Sequence, residues 1–103
     1  MNVMIKDRLA ELKNICIKRN VRTLAFLDSA AKDSFDPASS DMDFVVEFSA
    51  MEPSAHADNY FGLIENLEEL FGVEIDLVEA STIKNPYFRE AVAESPFKLY
   101  DAA

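Results

Sequence analysis

Two short runs constrain this chain more than any other feature: Ser40-Asp41-Met42-Asp43-Phe44-Val45-Val46-Glu47-Phe48 and Glu74-Ile75-Asp76-Leu77-Val78. In the first, Met42, Phe44, Val46 and Phe48 recur at every second position, the period of a strand with one apolar face. Asp41 and Asp43 fall two residues apart and therefore share the other face. The second run is a shorter strand in which Asp76 is flanked by Ile75 and Leu77. A sheet built from both directs apolar side chains to packed helices and gathers three carboxylates on the opposite, open face. Two acids on one strand and a third on its neighbour can hold a pair of divalent cations, the arrangement that two-metal phosphoryl chemistry requires.

The rest of the chain supplies partners for that sheet. Ile5, Leu9, Leu12 and Cys16 recur at helical spacing, which predicts an amphipathic helix over residues 4–18. Val21–Leu27 reads as a buried strand. Asp28-Ser29 begins a short helical turn through Lys32, and the Phe35-Asp36-Pro37 segment to Ser40 is a loop. Residues 49–59, with Pro53, read as a loop running into a helix start. Tyr60, Leu63, Ile64, Leu67, Leu70 and Phe71 then form a helical stripe closed by Gly72. Strand 73–78 follows. Asn85 and Pro86 supply an N-cap and a proline at the first helical position, opening a helix to about Glu94. Ser95-Pro96 ends it, and Phe97–Tyr100 adds a last short strand. Strands alternating with helices predict an α/β (α+β) fold: one domain over residues 1–103, with a small mixed sheet and helices mainly on one face.

Composition narrows the function. With 103 residues, 50% of them hydrophobic, the chain can bury one core. Nineteen acids against ten bases give a net charge of −9, which repels nucleic-acid phosphates over most of the surface. Only Lys13, Lys18, Arg19 and Arg22 approach a basic patch, so nucleic acid is set aside as the main partner. No apolar run approaches the roughly 20 residues of a membrane span, and nothing resembles a secretory leader. The lone Cys16 forms no internal disulfide and suits a reducing cytoplasm.

An ordered set of segments carries a family resemblance. Leu24-Ala25-Phe26-Leu27-Asp28-Ser29-Ala30-Ala31, Phe35-Asp36-Pro37, the two acid-bearing strands and Lys84-Asn85-Pro86-Tyr87-Phe88 together resemble the minimal nucleotidyltransferases of the DNA polymerase beta-like superfamily. The resemblance runs from about Leu24 to Tyr100. It implies the nucleotidyltransferase fold and transfer of a nucleoside monophosphate from a nucleoside triphosphate to a hydroxyl acceptor. By match to the motif, Asp41, Asp43 and Asp76 are the expected catalytic and metal-binding residues, holding two Mg²⁺ ions once nucleotide is bound. Asp28, Ser29 and Lys32 fall at the expected nucleotide-binding turn. The resemblance also implies a partner, a small helical HEPN-domain protein, often a toxin for which the nucleotidyltransferase is antitoxin. A basic partner of that kind would complement the acidic charge. Acceptor recognition comes from such a partner or from self-association, because so short a chain has no room for an acceptor domain.

The sequence departs from the family at the phosphate turn. Asp28 stands where the family has glycine before the serine, and Asp33 replaces a second glycine. Glycine lets backbone N–H groups approach a phosphate closely; aspartate adds bulk and charge. A carboxylate about 4 Å from a phosphate oxygen costs roughly 4 kcal/mol at an effective dielectric near 20, before metal screening. The rival reading is a non-catalytic binding module or antitoxin that keeps the fold with a degenerate phosphate loop. The remaining residues read as structural. Glu47 and Glu74 are solvated, Cys16 is core, His56 has no assigned role, and Tyr60 and Phe61 begin the packed stripe of the long helix.

The aspartates give the first test. Asp28→Gly combined with Asp33→Gly is expected to tighten Mg²⁺–nucleotide binding at least tenfold, roughly 1.4 kcal/mol. Calorimetric titration with a non-hydrolysable triphosphate measures it, and the gain grows at low ionic strength. Equal affinities would show that neither carboxylate faces the phosphates.

Overall fold

The computed structural model describes residues 3–27, 42–87, 90 and 98–102. In chain order these form α1 (Val3–Lys6), α2 (Leu9–Lys18), β1 (Val21–Leu27), β2 (Met42–Phe48), α3 (Pro53–Phe71), β3 (Ile75–Glu79), a 3-10 turn (Ala80–Thr82) and β4 (Lys98–Asp101). The strands make one mixed four-stranded sheet in the order β3-β2-β1-β4. β1 runs antiparallel to both β2 and β4, whereas β2 and β3 are parallel. Parallel neighbours need a crossover, and α3 supplies it.

The alternation of β2 builds the core. Met42, Phe44 and Val46 are buried against α2 and α3 together with Leu24, Leu63 and Leu67. Phe44 sits at the centre, 5.6 Å from the Phe26 ring and stacked 6.1 Å from Phe71. The opposite face, read from sequence as open, is partly roofed. Leu27, Val45 and Ile83 form a second buried cluster there with Val78 and Ala80. The 3-10 turn makes this possible. Thr82 Oγ1 donates to the Glu79 carbonyl at 2.7 Å and the Ile83 N–H to the Ala80 carbonyl at 3.1 Å, which folds the chain leaving β3 back over the sheet.

Other differences from the sequence reading have local causes. The first helix is two pieces: Arg8 N–H bonds the Ile5 carbonyl at 3.0 Å, a tighter spacing than the α-helix, and α2 restarts after Arg8. Pro53 opens α3 at its first turn rather than belonging to a loop, a position where its missing N–H costs nothing. α3 ends as expected, with Gly72 at φ 68 and its N–H on the Glu68 carbonyl. Asn85 Oδ1 accepts the Tyr87 N–H at 2.9 Å, the N-cap read from Asn85-Pro86. The far end of that helix, the turn from Asp28 and the Phe35–Ser40 loop lie outside the described residues. The two helices meet through Arg19, whose Nε donates to Asn66 Oδ1 at 2.7 Å. That guanidinium crosses α3 over Gly62, where a Cβ would come within 2.4 Å of the Arg19 guanidinium carbon.

Cys16 lies in the core with none of its surface exposed, and burial pushes its thiol up to about 12. At pH 8 the native protein therefore holds very little of it as thiolate, the reactive form. Reaction with a thiol-specific chromogen is expected to be at least 100-fold slower in buffer than in denaturing urea. A comparable rate in both would mean that α2 opens from the sheet in the native state.

Candidate active site

The acids of the two diagnostic strands meet through register. In the parallel β2–β3 pair, Met42 lies opposite Ile75, Asp43 opposite Asp76 and Phe44 opposite Leu77. Neighbouring strands are about 4.8 Å apart, and in-register residues point to the same face. Asp43 and Asp76 are therefore side by side on the face away from the helices. They differ in setting. Asp43, on an inner strand, has none of its surface exposed, while Asp76, on the edge strand, is half-buried. A carboxylate at the depth of Asp43 has to be compensated by hydrogen bonds or a cation, and it is engaged within the fold.

The burial of Asp43 corrects the expectation of an open acidic face. Asp41, Asp28, Ser29, Lys32 and Asp33 lie outside the described residues. Among the described residues no third histidine, cysteine or acid joins Asp43 and Asp76 in a metal-binding cluster. The pair brings oxygen donors only, the donor type that Mg²⁺ takes in combination with phosphate oxygens.

The edge strand that carries Asp76 is held from α3. Tyr60 Oη donates to the Leu77 carbonyl at 2.7 Å, and Glu68 Oε2 accepts the Ile75 N–H at 3.3 Å. These bonds bracket Asp76 and fix its backbone on both sides. The phenol of Tyr60 is raised above its ordinary value of 10 by burial first, then by the negative charges of Asp76 and Glu79. Beyond it, His56 Nε2 is hydrogen-bonded to Glu79 Oε1 at 2.5 Å, and its ring packs 5.2 Å from Phe48.

His56 and Phe61 were not read as site residues from the sequence. Phe61 was assigned to the packed stripe, yet it is 64% exposed. Its position held the signal: at about 100° per residue it falls roughly a third of a turn from the stripe's centre. The His56–Glu79 contact joins residues 23 apart and has no local signature.

Comparison with known proteins agrees with this architecture. The family model described as "Nucleotidyltransferase domain" matches residues 9–96. Two proteins of Methanocaldococcus jannaschii are similar across most of their length. "Putative protein adenylyltransferase MJ1379" is 33% identical over 91 residues, 87% of this chain and 89% of the relative. "Putative protein adenylyltransferase MJ0128" is 34% identical over the same shares. A solved structure described as a "putative minimal nucleotidyltransferase" superposes with a TM-score of 0.60 over 86% of each chain; at 23% identity it supports the fold.

Tyr60 yields a prediction whose sign follows from its shift. A phenol raised in the folded state contributes stability that is complete below the unfolded value of about 10 and is lost as pH climbs through the folded value. Wild-type stability is expected to fall above about pH 10. Tyr60→Phe loses about 1 kcal/mol at pH 8 with the hydrogen bond and shows a shallower fall above pH 10. Urea denaturation at pH 8 and 10.5 measures both; parallel losses would show that Tyr60 does not carry the alkaline sensitivity.

Proposed function

The chain belongs to the nucleotidyltransferase domain family, and from that premise we propose that it transfers a nucleoside monophosphate, with AMP preferred, from a nucleoside triphosphate to a hydroxyl on a partner protein. The observation that carries the reading is the in-register pair of Asp43 and Asp76 on parallel neighbouring strands. The names of the archaeal relatives support adenylyl transfer and a protein acceptor. Asp43 and Asp76, with Asp41, would hold Mg²⁺, two ions when nucleotide is present. When bound, this metal neutralises triphosphate charge and eases deprotonation of the acceptor.

The chain's own residues have distinct parts in the reaction. The acceptor oxygen forms a bond to the α-phosphorus while the bond from that phosphorus to the bridging oxygen breaks, and pyrophosphate leaves. Asp76, half-buried at the sheet edge, is the carboxylate accessible to an incoming hydroxyl and is suited to take its proton. Asp43, fixed between two strands, keeps its charge in one position and needs little reorganisation during the reaction. Ser29 would offer its hydroxyl and backbone N–H to the phosphates, with Lys32 balancing part of the charge of Asp28. The acceptor in the proposal is a HEPN-domain partner, with a second copy of the chain as the other source. A cytoplasmic setting belongs to the same proposal, supported by the lone thiol.

Incubation with α-labelled ATP, Mg²⁺ and a purified HEPN-domain partner is expected to place label on the partner. Asp43→Asn and Asp76→Asn should each lower transfer at least 100-fold while the fold survives by circular dichroism. Mg²⁺ with ATP should raise the wild-type melting temperature, and Asp43→Asn should remove most of that rise. Nucleotide binding with no transfer to partner or self would instead support the non-catalytic antitoxin. Full activity of either variant would dismiss the acid pair.

A further inference from the structure

The N-terminal half of α3 carries a second surface that the acid pair does not use. Between this helix and the end of β3 lies a cleft of about 420 Å³, lined by Met51, Pro53, His56, Tyr60, Phe61 and Glu79. Pro53, His56 and Tyr60 recur at helical spacing on one face of α3, and Phe61 borders it. Tyr60 and Phe61 pack edge to face at 5.2 Å and 87°. Phe61 is among the most exposed of the large hydrophobic side chains described. Its helical neighbours one turn either way, Asp58 and Glu65, are exposed acids. Across its 19 residues α3 carries no lysine or arginine. An exposed phenylalanine packed on a half-buried tyrosine and set among carboxylates, with the His56-bonded Glu79 lining the cleft, repels anions and attracts a cation beside an apolar group.

We propose that this cleft receives a segment of the acceptor protein in which an arginine or lysine adjoins an apolar side chain. The apolar group enters between Met51, Tyr60 and Phe61, and the cation lies over the aromatic pair within reach of Asp58, Glu65 or Glu79. The proposal rests on the reading of a protein acceptor and names the surface that recognises it. Charge sets the occupant: a nucleic acid would bring phosphates against α3, and a second copy of a chain with net charge −9 would bring like charge. The cleft also adjoins the chemistry. Tyr60 lines it while bonding the Leu77 carbonyl, one residue beyond Asp76. A segment seated there lies against the side chain that fastens the strand carrying Asp76.

The test uses binding alone, without ATP or metal, so that its failure is separable from a failure of nucleotide transfer. The probe is a fluorescein-labelled peptide of alternating arginine and leucine, with a glutamate-for-arginine peptide as comparison, read by anisotropy. Wild type is expected to bind the arginine peptide and not the glutamate one. Asp58→Lys with Glu65→Lys should weaken binding at least tenfold, and Phe61→Ala at least fivefold. Asp7→Lys with Glu11→Lys, an equal change in net charge ahead of and within α2, should stay within twofold of wild type. Thermal melting confirms that these surface variants fold. Equal weakening by the α2 control would mean that net charge alone attracts the peptide, and the proposal falls. It falls equally if Phe61→Ala binds as wild type. Binding of a single-stranded oligonucleotide that Phe61→Ala abolishes, or self-association in sedimentation that this variant abolishes, would name another occupant and overturn it.

Discussion

The parallel pairing of β2 with β3 is the constraint on which the rest of this molecule depends. Parallel neighbours cannot be joined by a tight turn, so the chain spends 19 residues on α3 to return to the start of the next strand. That helix is about 28 Å long at 1.5 Å per residue, enough to cover the sheet and supply Leu63, Leu67 and Phe71 to the core. The same register that sets Phe44 beside Leu77 on the packed face sets Asp43 beside Asp76 on the other. Core and acid pair are thus two readings of one alignment. A slip of one residue would turn the carboxylates of one strand into the hydrophobic layer, so packing energy itself enforces the placement of the acids.

The acid pair works against the fold that holds it. A buried carboxylate next to another costs desolvation and repulsion, and Asp43 is both completely buried and opposite Asp76. The surrounding structure holds the two side by side. β2 is fixed on both sides by hydrogen-bonded strands, and the exposed edge of β3 is fastened by Tyr60 and Glu68 reaching over from α3. Those two bonds also occupy backbone groups that would otherwise invite another strand. The edge strand is thereby closed to pairing at the places that flank Asp76, while the Asp76 side chain stays partly accessible.

The sequence made the parity of the strands legible because period two is a local signal: Met42, Phe44 and Val46 could face only one way, and Asp43 the other. Gly72 and Asn85-Pro86 were equally readable, since a left-handed cap and a proline-opened helix each follow from one or two residues. What escaped depends on contacts distant in the chain. The roof over Val45 comes from Ile83, folded back by a turn whose bonds involve Glu79, Ala80 and Thr82. Nothing near Asp43 announces it, so the face looked open. Pro53 was ambiguous locally, because proline is at home both in loops and at the first turn of a helix. Phe61 was misread for a different reason: aromatic character outweighed its angular position, and the flanking Asp58 and Glu65 marked its side of α3 as solvent.

Chemistry and recognition converge on β3, and the convergence follows from where an edge strand lies. Asp76 and Val78 face one side of the sheet, Leu77 and Glu79 the helix side, so five residues present an acid to each face. On an inner strand the two faces would be separated by neighbouring backbone; at an edge they are joined around the rim. Tyr60 stands at that rim, bonded to the backbone between the two acids and raised in its titration first by burial and then by both of them. The negative charge of Asp76 is therefore felt at Tyr60, which lines the cleft on α3. A cationic segment drawn to that cleft, as proposed above, would meet the negative charge that Asp76 and Glu79 both exert on Tyr60. By reciprocity, whatever neutralises Asp76 weakens the attraction of the cleft for the segment. On the proposed reading, seating of an acceptor and charge compensation at Asp76 would be coupled through this rim.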